Sequence, residues 1–159
     1  MAKILENIDV CKDYFILRTD FKGKIYPGPF FMLRAWENYP TLSRPISVYD
    51  VTDGVDFLVE KRGIGTEILE RLEVGDDIKL YGPFGNTFYA NVDEVALVGG
   101  GIGIAPLYMV AQNIPNCDIY LGFRDQAIML DDYRAVCKDL YTTSGDTLVT
   151  DIINVDDYD

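Results

Sequence analysis

Along the first ninety or so residues, apolar positions come in short bursts separated by turn-forming residues. Ile4, Ile8 and Val10 open an extended run, and Tyr14-Phe15-Ile16-Leu17-Arg18-Thr19 has the β-branched and aromatic content of a second strand. Phe30-Phe31-Met32-Leu33 reads as a buried strand after the breaks at Gly23-Lys24 and Tyr26-Pro27-Gly28-Pro29. Ile46 to Val51 alternates apolar with mostly polar residues and predicts one strand. Asp53-Gly54 then turns the chain into Val55-Asp56-Phe57-Leu58-Val59. Ile78-Lys79-Leu80-Tyr81 completes the set. Strands at this spacing predict a small antiparallel β-barrel. One short helix interrupts them over Thr66–Leu72, with Thr66 as its cap and the apolar positions 68, 69 and 72 on one face.

Beyond Asn91 the grammar changes. Val95-Ala96-Leu97-Val98 is a continuous apolar strand, as in a parallel sheet covered on both sides. A glycine turn, a helix through Leu107–Ala111, a strand at Ile119–Phe123, a helix near Asp131–Cys137 and a strand near Leu140–Thr142 follow. This β-α-β-α-β order is half of a doubly wound domain. The expectation is an antiparallel barrel over 1–91 and a truncated parallel α/β domain over 92–159.

Composition narrows the function. The net charge of −12 opposes nucleic acid and anionic membranes. No apolar run approaches the ~20 residues that span a bilayer. Met1-Ala2-Lys3-Ile4-Leu5-Glu6-Asn7 lacks the form of a signal peptide, so a cytoplasmic protein is expected. With no histidine, the usual general base is missing. Cys11, Cys117 and Cys137 are far apart and read as reduced thiols.

Three motifs carry candidate chemistry. Arg44-Pro45-Ile46-Ser47 puts a durable cation and a hydroxyl at a strand, suited to a cofactor diphosphate and a flavin ring; it also fits an ordinary strand start. Gly63-Ile64-Gly65-Thr66 opens the short helix, where backbone amides can approach phosphate closely. With Arg44 upstream, a split diphosphate site is the better reading. Gly99-Gly100-Gly101-Ile102-Gly103 sits between a strand and a helix that begins near Pro106. That setting favours a dinucleotide, although the pattern is not G-x-G-x-x-G. Gly82-Pro83-Phe84-Gly85-Asn86-Thr87-Phe88 reads as a tight structural turn, with Phe88 or Tyr89 open to a place near a flavin. Arg124, in Gly122-Phe123-Arg124-Asp125, is open between an adenosine contact and a pair with Asp125. Asp131-Asp132 reads as a solvated helix start rather than a metal site.

In this order and spacing, these motifs together with Leu121-Gly122-Phe123 resemble the ferredoxin–NADP reductase superfamily, and within it the electron-transfer subunits of bacterial dihydroorotate dehydrogenase. The resemblance runs over about 3–153. It implies an oxidoreductase of pyrimidine biosynthesis that passes electrons between NAD(H), FAD and a partner, either a dihydroorotate dehydrogenase catalytic subunit or another redox protein. By motif, FAD falls to Arg44, Pro45, Ile46, Ser47, Leu58, Val59, Glu60, Gly63, Gly65 and Thr66. The nicotinamide dinucleotide falls to Gly100, Gly101, Ile102, Gly103 and Pro106. Glu60 stands where the family often has a basic residue, with Lys61 or Arg62 as candidate substitutes. The family's later C-G-P strand and four-cysteine segment have no counterpart here, so no [2Fe-2S] cluster is expected in this chain. The second reading is a non-catalytic flavin- or nucleotide-binding module, whose uncovered sheet edge a homodimer or partner would pair with.

Overall fold

The computed structural model describes residues 1–88 and 94–158. The chain forms two compact units, Met1–Thr87 and Phe88–Asp159. The expected boundary between 91 and 92, and Tyr89, lie outside the described residues.

The first unit contains β1 (Ala2–Cys11), β2 (Tyr14–Thr19), β3 (Phe30–Arg34), β4 (Arg44–Ser47), β5 (Asp50–Val51), β6 (Val55–Glu60), α1 (Ile64–Glu70) and β7 (Asp77–Phe84). The strands form one seven-stranded sheet in the order β4-β3-β7-β1-β2-β6-β5. All its pairings are antiparallel. Its two edges, β4 and β5, are joined in the chain by residues 48 and 49 alone, so the sheet must curl until the edges meet. This is the expected barrel, with Phe15, Leu17, Phe31, Leu33, Phe57 and Ile78 buried inside. Phe31 packs edge-on against Phe57, with ring centroids 5.8 Å apart.

Three local expectations are corrected. Ile46–Val51 is not one strand. Val48 and Tyr49 are both buried, which a half-exposed alternating strand forbids. Their amides bond to Pro29 O at 3.0 Å and Asp56 O at 2.9 Å, making the corner between β4 and β5. The helix starts two residues early, at Ile64, and Gly63 rather than Thr66 precedes it. Thr66 lies inside the first turn and reaches back to the amides of Arg62 (2.8 Å) and Gly63 (3.2 Å). The helix stops where Asn7 of β1 donates to the carbonyls of Glu70 and Leu72, both at 2.8 Å. Finally, Gly82, Pro83 and Phe84 extend β7 instead of forming a tight turn. A register shift against β3 accommodates them, and Phe84 packs on Phe30.

The second unit contains β8 (Ala96–Gly100), a 3-10 turn over Gly101–Ile104, α2 (Leu107–Asn113), β9 (Asp118–Phe123), α3 (Leu130–Val136) and β10 (Leu140–Ser144). The three strands are parallel in the order β10-β9-β8. This is the expected half of a doubly wound sheet, but β8 is not covered on both sides as the apolar run suggested: it lies at the sheet edge, its burial alternates, and Val98 is 41% exposed. Ile119 and Leu121 of the central strand are fully buried, with Met109 and Val110 of α2 and Tyr133 of α3 in the same core. No helix among the described residues is long and apolar enough to cross a membrane.

Candidate functional site

In the barrel unit, the Arg44 side chain lies directly against the start of α1. A Cβ built on Gly65 would fall 2.4 Å from Arg44 Nε and 2.9 Å from its Cζ. The missing side chain at 65 is therefore what lets the guanidinium lie on the helix backbone. Amides of a first helical turn have no acceptor within the helix, so the cation and the orphan donors converge on one spot. An anion is the natural guest there. Among the described residues Arg44 forms no ion pair; its Nη1 donates to Leu42 O at 2.8 Å, and the guanidinium carbon stands 5.8 Å from the Trp36 ring centroid. The cradle that a Cβ would fill, with an uncompensated guanidinium on it, fits a cofactor diphosphate.

The other residues of this group divide. Pro45 is exposed, and Ile46 and Ser47 are half-buried on β4. Gly63 holds the loop into α1 by accepting from Thr66 Oγ1 at 2.9 Å. The Thr66 hydroxyl, with two amides received and one bond given, has no capacity left for a ligand; only its backbone remains to contact one. Leu58 and Val59, on opposite faces of β6, are both buried, at 1% and 0% exposure, so their side chains are not a ligand surface. Glu60 is bonded by Arg62 at 2.7 Å, and Lys61 is bonded to Glu70. Neither neighbouring cation is free to stand in for a basic residue at 60. Burial, and then the Glu60 carboxylate beside it, raise the Tyr14 hydroxyl above its ordinary range.

In the α/β unit, the five glycine-turn residues do different work. Gly99 is a packing glycine, because a Cβ there would lie 2.7 Å from Leu107 Cδ1 and 3.3 Å from Ile104 Cα. Gly101 has φ +53°, a left-handed conformation that favours glycine, and open space where a side chain would go. Gly103 is open as well. The turn runs into the 3-10 segment, so Pro106 immediately precedes α2. Tyr133 fixes this segment from below by donating to Ile104 O at 2.7 Å. Its burial drives the phenol pKa far upward, so it stays a neutral donor.

A cavity of about 750 Å³ opens at the carboxyl ends of the three strands. Gly100, Gly122, Arg124, Asp146 and Thr147 are among its lining residues. Ligands of open α/β sheets bind at this end. Arg124 lines the cavity and, among the described residues, forms no ion pair with Asp125. Asp131 sits in the first turn of α3 and pairs with Arg134 at 3.0 Å. No group of three or more potential metal ligands occurs among the described residues.

Trp36, Asn7, Tyr133 and the segment 147–150 were not legible as parts of these sites. Asn7 and Tyr133 act across a long sequence separation, whereas Trp36, a lone tryptophan between Arg34 and Arg44, carried a local signal.

No protein-family model matches the chain. Among curated proteins it is similar to the dihydroorotate dehydrogenase B (NAD(+)) electron transfer subunit of Clostridium acetobutylicum, at 40% identity over all of this chain and 69% of that protein. The corresponding subunit of Clostridium perfringens is 33% identical over 99% of this chain and 70% of its own length. Among solved structures, an NADH-dependent reduced ferredoxin-NADP oxidoreductase, studied for flavin-based electron bifurcation, superposes with TM-score 0.84. It is 28% identical, and the match covers 95% of this chain and 61% of that one. The ferredoxin reductase of carbazole 1,9a-dioxygenase shares the fold, with TM-score 0.75 at 20% identity over 91% of this chain and 50% of its own. The chain thus spans about 70% of the length of these two clostridial subunits and 61% of the first reductase.

Proposed function

The chain belongs to the family of dihydroorotate dehydrogenase B electron-transfer subunits, and from that premise we propose that it is a flavoprotein that passes electrons between NAD(H), FAD and a partner redox protein. The observation that carries the reading is Arg44 lying on Gly65 with no carboxylate bonded to it among the described residues. Bound FAD supplies the exchange between hydride and single-electron chemistry, which needs positioning more than an acid–base residue. Arg44 and the backbone amides of the first turn of α1, around Gly65, would hold its diphosphate from two sides. Ser47, three residues along β4, would donate to the flavin ring. Gly101 and Gly103 leave the glycine turn open to a pyridine dinucleotide, and Gly100 and Arg124 line the adjoining cavity. The partner we assign is a dihydroorotate dehydrogenase catalytic subunit, in a cytoplasmic setting that suits three free thiols.

The test is optical. Protein saturated with FAD is yellow, and anaerobic NADH is expected to bleach it. Yellow protein that NADH does not bleach is the outcome for a non-catalytic flavin-binding module. Colourless protein that takes up no added FAD would refute both.

A further inference from the structure

The Arg44 guanidinium needs to be held in place without being neutralised. A carboxylate would orient it and cancel its charge. The described ion pairs use Lys3, Arg18, Lys61, Arg62, Lys79 and Arg134, each with an acidic partner, in a chain with 26 acidic and 14 basic residues. Arg44 has instead the face of an indole.

We propose that Trp36 is a positioning residue for the diphosphate site: an aromatic shelf that fixes the Arg44 guanidinium against Gly65 while leaving its charge intact. This rests on the reading of Arg44 as the diphosphate contact. Trp36 is the chain's one tryptophan and is only 8% exposed. Its indole N–H donates to Pro40 O, which sets the ring's rotation. Arg34, whose guanidinium carbon is 5.7 Å from the same ring centroid, spends its donors on the backbone around the ring. Its Nε bonds Trp36 O at 2.9 Å, its Nη1 bonds Thr41 O at 2.8 Å, and its Nη2 bonds Glu37 O. The loop is thereby clipped shut and the ring cannot swing. Two arginines thus meet one indole with different tasks. Arg34 is consumed in holding the loop, whereas Arg44 gives one donor to Leu42 O and keeps the rest of its five N–H groups for a ligand. Cation–π attraction orients a guanidinium over a ring face, and it is stronger where water is excluded.

The experiment measures FAD affinity calorimetrically on the flavin-stripped full chain. The variants are Trp36→Leu, Trp36→Phe, Arg44→Ala and the Trp36→Leu/Arg44→Ala double, each checked for folding by circular dichroism. Trp36→Leu keeps bulk and loses the ring; it is expected to weaken FAD binding about five- to thirty-fold. Trp36→Phe should recover at least half of that loss on a logarithmic scale, and Trp36→Leu should cost nothing further once Arg44 is gone. An equal Trp36→Leu penalty with and without Arg44, or no rescue by phenylalanine, makes Trp36 mere filling and overturns the inference while the diphosphate reading stands. Unchanged FAD affinity in Arg44→Ala overturns that reading, and this one with it. Should Trp36→Leu fail to fold, the wild-type indole reports by itself. ADP, which carries the diphosphate and does not absorb its emission, should shift Trp36 fluorescence in the wild type and not in Arg44→Ala. No shift at calorimetric saturation overturns the inference.

Discussion

Gly65→Ala separates stability from cofactor binding at a single atom. The added Cβ would stand 2.4 Å from Arg44 Nε, 2.9 Å from Cζ and 3.1 Å from Cγ. All three contacts are with a flexible side chain, so the arginine swings aside and the backbone is spared. Residue 65 is the second residue of α1, and its φ is not among the positive ones. Alanine therefore fits the helix and gains up to about 0.5–1 kcal/mol from reduced unfolded-state entropy. The displaced guanidinium forfeits a charged hydrogen bond to phosphate, about 1.5–3 kcal/mol. At about 1.4 kcal/mol per decade, the FAD dissociation constant rises roughly 10- to 150-fold. The assay is a thermal melt of the apo-protein beside a calorimetric FAD titration. The expected result is a melting temperature equal to or above wild type with FAD binding largely lost. Combining Gly65→Ala with Arg44→Ala should add little, because both remove one contact. An unchanged melt with FAD affinity within about twofold of wild type would refute the reasoning, since bodies in contact are expected to couple by more than that.

Gly101→Val forces a β-branched residue into φ +53° at a cost of about 1–2 kcal/mol, with open space within 4 Å of its Cβ. It is expected to slow anaerobic bleaching by NADH and leave FAD affinity alone; bleaching at the wild-type rate would place the turn outside nucleotide binding. Gly54→Ala puts a Cβ 1.8 Å from Thr19 O, where backbone cannot yield, and should lower barrel stability in urea by about 1–3 kcal/mol. A wild-type urea midpoint would show that the Thr52–Gly54 corner is looser than its packing indicates. Asp56 is buried, and that burial outweighs its bonds to Thr52 and Arg18, raising its carboxyl above the ordinary range. The folded state then binds the proton more tightly than the unfolded one, so this group's contribution to stability falls as pH rises from the unfolded value toward the folded one. Asp56→Asn removes that dependence. Its stability relative to wild type should climb between about pH 4 and neutrality, and a difference constant with pH would contradict the sign.

The sequence by itself determined the two kinds of sheet. Period-two bursts rich in β-branched and aromatic residues specify antiparallel strands, and the unbroken Val95–Val98 run marks the change to a parallel sheet, although the run overstated its burial, because β8 lies at the sheet edge and leaves Val98 exposed. It also marked the residues proposed to meet anions: Arg44 and the glycines at 63, 65, 100, 101 and 103 are local chemistry, readable without neighbours. The tertiary structure alone decided the rest. Ile46–Val51 alternates well enough to be one strand, yet barrel closure bends it at Val48-Tyr49, and closure is a property of all seven strands. Thr66 has the composition of a cap, but the loop at 62–63 claims its hydroxyl. The end of α1 is set by Asn7, more than sixty residues away. Leu58 and Val59 look like lining residues by motif and are core by packing. That Arg44 lies on Gly65 and beside the Trp36 ring is likewise a matter of how the loop folds, not of local pattern. Local pattern is fixed by covalent spacing along the chain, whereas partners distant in sequence are chosen by the burial and hydrogen-bond satisfaction of the whole fold.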